Sequence, residues 1–197
     1  MKRAYTQLTA NYDFSIIDTY KQLTNLNIPI IKMNQTHSDI ITIIDDFPQK
    51  QLTTIQNTDG LITTQKKIAL TVKFADCMPI IISTKSLLCL LHSGRKGTQK
   101  HILKKALIRI KRLINSDQNL TIWFGPHICS NCYEINPDTH ATYSMLDNNI
   151  NQLKSELDLS KNNLIINTEC TNTSKSFASY RGNNHTRKRN FITCYLN

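Results

Sequence analysis

Apolar residues recur along this chain first in short β-branched runs and only later at helical spacing. The runs Ile28 to Met33, Ile40 to Ile44, Leu61 to Thr64, Ile68 to Phe74, Pro79 to Ser83 and Leu87 to Leu91 each predict a strand, bounded by turn signals such as Asp59-Gly60. From Thr98 to Ile114 the period changes. Ile102, Leu103, Ala106, Leu107, Ile110, Leu113 and Ile114 fall on one stripe repeating about every 3.6 residues, while Lys100, Lys104, Lys105, Arg109, Lys111 and Arg112 occupy the remainder. This predicts an amphipathic helix covering a sheet. Leu120 to Phe124 predicts a further strand, ended by Gly125-Pro126. A second helix is predicted from Pro137, with Asp138 near its positive dipole end and Leu146, Ile150, Leu153 and Leu157 on one face. Strands Asn163 to Asn167 and Phe191 to Leu196 close the pattern. Strands in excess of helices and in mixed order predict an α/β (α+β) fold, stacked mixed β-sheets with helices packed outside.

No internal repeat and no Pro/Gly/Ser linker interrupts this pattern, so residues 1–197 are read as a single domain, long enough for one substantial core. No apolar run approaches the roughly 18 residues of a membrane span. Met1-Lys2-Arg3 does not lead into the apolar segment of a secretory leader. Six cysteines, at positions 77, 89, 129, 132, 170 and 194, lie partly inside strand-like runs. Reduced thiols and a cytoplasmic location are therefore expected.

Lys and Arg outnumber Asp and Glu by 24 to 14, a formal charge of +10 that suits an anionic partner. The excess concentrates between Lys100 and Arg112, the wet face of the predicted helix, and in the loop carrying Arg181, Arg187, Lys188 and Arg189. The second is the stronger anion-site candidate. Neither stretch is interleaved with aromatic residues or carries a nucleic-acid-binding motif, so a small anion is expected rather than a nucleic acid.

Three chemically capable side chains stand where predicted strands end: His37 in Gln35-Thr36-His37-Ser38, Cys77 in Ala75-Asp76-Cys77-Met78-Pro79, and His92 ahead of Gly94-Arg95-Lys96-Gly97. Two imidazoles and a thiolate suit Zn²⁺, and three protein ligands leave the fourth tetrahedral position open, as in catalytic zinc sites. The residues are far apart in sequence, and a buried free thiol with two hydrogen-bonded histidines is the alternative. A blue-copper set would need an axial Met; Met78 follows Cys77 directly and points to the opposite side of a strand. Cys129-Ser130-Asn131-Cys132 has the spacing of a zinc knuckle but lacks a second ligand pair, so it is expected to hold no metal. Asp76 and Asp59 are the carboxylates considered for proton transfer beside a metal. The alternatives are that Asp59 only shapes its Asp-Gly turn and that Asp76 orients a ligand.

Gln35-Thr36-His37, Asp59-Gly60-Leu61-Ile62-Thr63, Ala75-Asp76-Cys77-Met78-Pro79, His92-Ser93-Gly94-Arg95-Lys96-Gly97, Gly125-Pro126 with Cys132-Tyr133-Glu134-Ile135, and Cys170-Thr171 with Ser179-Tyr180-Arg181 follow one another along the chain. In this order they resemble the laccase-domain family, also described as multicopper polyphenol oxidases, peptidoglycan editing factors or purine nucleoside phosphorylases. The resemblance runs from about Asn34 to the C-terminus. It implies that the metal ligands are His37, Cys77 and His92. It further implies a zinc-dependent purine nucleoside phosphorylase, a transferase using inorganic phosphate on adenosine, inosine or methylthioadenosine, with adenosine deamination as a hydrolase side activity. Zn²⁺ is the expected cofactor, copper binding being an in vitro property. Asp76, Asp59 and Cys77 are the expected catalytic residues, and Gln35, Lys96 and Arg181 the expected substrate and phosphate contacts, with Arg95 a further cation. An amidase-like enzyme editing peptidoglycan precursors and a metal-binding member without turnover are the alternatives; copper polyphenol oxidation ranks below them.

The chain departs from the family pattern in several places. The family's N-terminal Ser-Leu-Asn-Leu-Gly stretch is absent ahead of Gln35, and the stretch between Ile135 and Cys170 is short. Phe74 replaces a Thr, Arg95-Lys96 a Trp-Arg pair, Gly182 an Arg, and Thr186-Arg187-Lys188 a Thr-Gly-Arg. The metal set is thus retained while the pocket wall is changed.

Overall fold

A computed structural model describes residues 14–17, 27–116 and 119–196; Met1-Lys2-Arg3 lies outside them. In chain order the strands up to the first helix are β1 (Phe14–Ile17), β2 (Ile30–Met33), β3 (Ile41–Ile44), β4 (Leu52–Ile55), β5 (Gly60–Thr63), β6 (Ala69–Phe74), β7 (Met78–Thr84) and β8 (Leu87–Ser93). Helices α1 (Arg95–Gln99) and α2 (Ile102–Ile114) follow, then β9 (Thr121–Phe124), the short pair β10 (Glu134–Asn136) and β11 (Ala141–Thr142), helix α3 (Met145–Glu156), β12 (Asn163–Ile166) and β13 (Asn190–Leu196). Two mixed sheets result. One has the order β1-β13-β6-β2-β4, the other β12-β9-β7-β8-β5-β3.

Period-2 alternation explains why the sheets stack and where the helices lie. Ile80, Ile82, Leu87, Cys89, Leu91, Ile122 and Phe124 project from one face of the six-stranded sheet onto Leu103, Leu107 and Ile110 of α2 and Leu153 of α3. Ile81, Leu88, Leu90 and Trp123 project from the other face and meet Leu70, Val72, Phe74 and Ile192 of the five-stranded sheet. A sheet covered on both faces needs apolar residues at nearly every position. This is why β7 and β8 read as almost unbroken apolar runs. Stacked mixed sheets with helices outside is the architecture expected from the sequence. Among the described residues no helix is long and apolar enough to cross a membrane.

Two predicted helices begin elsewhere. The stripe expected from Thr98 to Ile114 is split, because His101 takes a left-handed conformation (φ 62°) between α1 and α2. The break turns α1 toward the loop after β2. A Cβ at Gly97 would stand 2.8 Å from the Ser38 carbonyl oxygen, so only glycine lets α1 approach this closely. The second helix starts at Met145, where the Ser144 hydroxyl accepts from the Asp147 amide at 3.1 Å. Pro137 instead lies in the turn joining β10 to β11, where Asn136 Oδ1 accepts from the amides of Asp138 and Thr139. β4 was not foreseen; it is an edge strand with exposed and half-buried positions alternating.

Helix α3 braces the segment after β8 from behind. Ser93 Oγ hydrogen-bonds Asn149 Oδ1 at 3.1 Å, and Gln152 Nε2 donates to the Thr98 carbonyl at 2.8 Å. A buried polar group without such a partner costs about 1–3 kcal/mol. The basic face of α2 is largely engaged: Lys104 and Lys111 pair with Glu156, Lys105 with Asp39, and Arg109 donates to the Ile41 carbonyl.

Candidate metal centre

Antiparallel register builds the site from three strands. Pro79 pairs with His92 across β7 and β8, so Cys77, just ahead of β7, arrives beside His92. Gly60 pairs with Leu91 across β5 and β8, and the His92 amide donates to the Asp59 carbonyl at 2.7 Å. The loop following β2 then folds over the Asp59 side chain. Asp59 Oδ2 accepts from the amides and hydroxyls of Thr36 and Ser38, and Oδ1 accepts from the His37 amide at 3.0 Å. This holds His37 at φ 58°, a left-handed conformation uncommon outside glycine. His37, Cys77 and His92 thereby converge, with their ligand atoms all within 4.8 Å of one another.

Asp59 Oδ1 also takes His92 Nδ1 at 2.8 Å. Carboxylate anchoring of one ring nitrogen fixes the tautomer and turns Nε2 toward a metal or a thiolate, a common arrangement behind metal-binding histidines. Gly94 completes the cradle. Its backbone is ordinary (φ −85°), but a Cβ there would stand 2.8 Å from Cys77 Sγ and 3.1 Å from His37 Cδ2.

Charge is redistributed within this group. Burial pushes the Cys77 thiol up, but the charges and hydrogen bonds of His92 and His37 outweigh it and bring it down to about 6. Burial lowers His92, yet Cys77 and Asp59 raise it to about 9. Asp59 is opposed by its own burial and still held well below the usual carboxylate range by His92 and Ser38. Both shifts run in the direction of a thiolate facing an imidazolium. Two imidazoles and one thiolate around a space of this size fit a borderline-soft divalent cation, which would take the place of the His92 proton. Met78 is fully buried in the helix-side core, where its sulfur faces Asn149. Its side chain is therefore turned away from the group.

Cys77 and both histidines line a cleft of about 500 Å³, in the range of small-molecule sites. The cations Lys73, Arg95, Lys96, Arg181 and Arg189 also line it, against one carboxylate, Asp76. Asp76 is buried at φ 85°. Its Oδ1 accepts from Thr171 Oγ1 at 2.9 Å and Ser179 Oγ at 2.6 Å, and its Oδ2 from the Arg181 amide at 2.9 Å. The carboxylate thus pins the loop that carries Tyr180 and Arg181. The Arg181 guanidinium donates to the Glu134 carbonyl and lies 4.8 Å from the Tyr133 ring centroid.

The expected substrate contacts Gln35, Lys96 and Arg181 all reach the cleft, as do Asp76 and Cys77. Asp59 is not among the lining residues and is fully buried. Both ends of the Gln35 amide are taken by the backbone of Lys73, at 2.7 and 3.0 Å. Arg189, from the basic loop named as the anion-site candidate, lines the cleft, and Lys73, Tyr133 and Tyr180 line it without having been singled out as contacts. The loop position of Arg189 was a signal for it, whereas Lys73 sits in a strand where nothing distinguishes it from a solvated lysine. Gly182, where the family carries Arg, has a local cause: a Cβ there would lie 2.5 Å from Asn172 Oδ1.

A second convergence corrects the expectation that the C-x-x-C pair lacks partners. β9 and β12 run parallel, Thr121 against Asn163, and their chains leave the sheet side by side as far as the bridge His127–Cys170. Cys170 arrives beside Cys129 and Cys132, with the three sulfurs within 4.8 Å of one another. No disulfide joins any of the six cysteines.

The sequence profile described as multi-copper polyphenol oxidoreductase laccase matches residues 16–161. The chain belongs to this laccase family. The match begins ahead of Gln35, so the family likeness extends further toward the N-terminus than the ordered motifs reveal. A relative from Clostridium acetobutylicum named purine nucleoside phosphorylase is 31% identical over 178 residues, 81% of this chain and 73% of the relative. A Borreliella burgdorferi protein of the same name is 35% identical over 124 residues, 58% of this chain. The chain spans about half (52%) of that relative's length. The crystal structure of the Bacillus licheniformis hypothetical protein YfiH superposes with a TM-score of 0.75 at 21% identity, covering 90% of this chain and 79% of that one. It shares the laccase-family fold.

Proposed function

We propose that this laccase-family chain is a zinc-dependent purine nucleoside phosphorylase whose reaction takes place in the cleft beside His37, Cys77 and His92. The observation that carries this reading is the lining of that cleft, where a His₂Cys group stands among five cations and two tyrosines. Cations suit phosphate, and the faces of Tyr133 and Tyr180 suit a purine. The names of the relatives point to the same substrates.

In phosphorolysis a phosphate oxygen forms a bond to the ribose anomeric carbon while the bond from that carbon to the purine nitrogen breaks. The electron pair leaves with the base, which takes up a proton. Arg181, Lys96 and Arg95 hold the phosphate and orient it. Asp76 uses three of the roughly four acceptor positions of a carboxylate within its own loop. The position left over allows it to relay a proton to the departing base. Asp59, outside the cleft, is a positioning residue that sets His92 and the His37 loop. Cys77 acts as a ligand, not as a nucleophile. His37, Cys77 and His92 would hold a zinc ion, which would supply Lewis acidity when bound.

Incubation of the purified protein with adenosine, with and without inorganic phosphate, and separation of the products by chromatography test this. Adenine and ribose 1-phosphate only in the presence of phosphate are expected. Inosine as the sole product would replace phosphorolysis by deamination, and unchanged adenosine in both samples would overturn the assignment.

A further inference from the structure

Cys129, Cys132 and Cys170 stand outside the cleft chemistry, yet they are assembled as a ligand set is. Cys129 opens a 3₁₀ turn over Ser130–Cys132, closed by the Cys132 amide donating to the Cys129 carbonyl oxygen at 3.1 Å. The Cys129 amide donates to Cys170 Sγ at 3.2 Å. Backbone N–H groups directed at sulfur favour the thiolate, the form that binds metal. The ligand atoms of a tetrahedral thiolate site stand about 3.8 Å apart for a metal–sulfur bond of about 2.3 Å. Three sulfurs within 4.8 Å of one another reach that spacing through small side-chain rotations.

We propose that Cys129, Cys132 and Cys170 form a second metal site, a trithiolate centre for a thiophilic divalent cation of the zinc type. All three residues are only partly buried, so water can complete the tetrahedron. The site's place in the fold gives it a role. Tyr133, which follows Cys132, lines the cleft and carries the Arg181 guanidinium on its ring. Thr171, which follows Cys170, holds Asp76. A metal on the three sulfurs therefore staples the two loops that make one wall of the cleft. Its function is to fix that wall, and it does not depend on the reaction assigned to the cleft.

Metal stoichiometry and the Co²⁺ spectrum of the full chain test this. Protein purified under reducing conditions without chelator is expected to carry about two Zn²⁺ per chain, one for each group of three ligands. Cys170→Ser, and separately the double variant Cys129→Ser with Cys132→Ser, are each expected to retain about one, on His37, Cys77 and His92. Cys77→Ala loaded with Co²⁺ is expected to keep strong sulfur-to-metal charge-transfer absorption, since the remaining imidazoles contribute none, and to lose it when Cys170→Ser is added. A wild-type protein that carries only one zinc per chain, with that content unchanged by Cys170→Ser, would overturn the proposal. So would a Co²⁺-loaded Cys77→Ala protein without that absorption.

Discussion

Asp59→Asn separates positioning from proton transfer more cleanly than any other change at this site. The side chain is fully buried, and each oxygen accepts hydrogen bonds: Oδ1 from the His37 amide and His92 Nδ1, Oδ2 from the amides and hydroxyls of Thr36 and Ser38. Asparagine has the same shape but must place an NH₂ where one oxygen was. On the Oδ2 side it meets two backbone N–H groups that cannot turn away. On the Oδ1 side it meets one amide and forces His92 to the other tautomer, which protonates the nitrogen that should face the metal. One or two donors are left facing an NH₂ at about 1–3 kcal/mol each, and charge-assisted bonds become neutral ones. A loss of about 3–5 kcal/mol follows, equivalent to about 6–20 °C in Tm for a chain of this size. Urea or thermal unfolding of the metal-free protein, together with its zinc affinity, measures both consequences. The wild-type carboxylate contributes fully above its unfolded value of about 4, and its contribution fades as pH falls toward the depressed folded value. The stability of Asp59→Asn is therefore expected to fall less steeply in acid than that of the wild type. A variant with unchanged Tm and zinc affinity but no turnover would refute this reasoning and make Asp59 a proton-transfer residue.

Further outcomes follow from the same geometry. Arg181→Ala is expected to raise the KM for phosphate and lower phosphate-dependent efficiency by about ten- to a hundredfold, with zinc content unchanged, because a charge-assisted bond contributes about 1.5–3 kcal/mol; steady-state kinetics beside metal analysis reads both. Gly94→Ala, at an unstrained φ of −85°, is expected to fold normally while weakening zinc by at least about tenfold, since its methyl group meets Cys77 Sγ at 2.8 Å; wild-type affinity in a competition titration would show that the cradle yields. Because metal displaces the His92 proton while Cys77 is already a thiolate, apparent zinc affinity is expected to rise about tenfold per pH unit between about 6 and 9, and more steeply below 6. A pH-independent affinity across that range would show that the metal-free pair is neutral.

How much of this was legible in the sequence depended on whether a feature was local. Turn signals and β-branched runs located the strand ends that carry His37, Cys77 and His92, because those signals act within a few residues. Their convergence rests on Pro79 facing His92 and Gly60 facing Leu91, pairings between separate runs that no single run encodes. Cys170 is the sharper case. C-x-x-C spacing is visible at Cys129 and Cys132, but the third sulfur comes from the parallel register of β9 and β12, some forty residues apart. The helix expected from Pro137 failed because two start signals competed, and the Ser144 cap beside the apolar face prevailed over a proline that serves equally well in a turn. At Asp59 an Asp-Gly turn and a buried anchor for His92 have the same sequence signature, and only the fold around the side chain distinguishes them.

The two buried carboxylates divide the site into parts that can change separately. Asp59 and Gly94 set the three metal donors, and neither lines the cleft. Asp76 holds the loop bearing Arg181 and, through Thr171, the chain leaving Cys170, and it bonds to none of the three donors. Of the residues that depart from the family pattern, Phe74 and Arg95-Lys96 line the cleft and Gly182 lies in the loop that Asp76 pins. The donor set can therefore be kept while the wall is rebuilt, here with Arg95 and Lys96 in place of a Trp-Arg pair and with a glycine pressed against Asn172. Exchanging an aromatic for a cation at Arg95 removes a stacking surface from the wall and adds a positive charge to it. The two tyrosines of the wall are themselves paired with cations, Tyr133 with Arg181 and Tyr180 with Arg189, so charge and aromatic surface are set side by side along it.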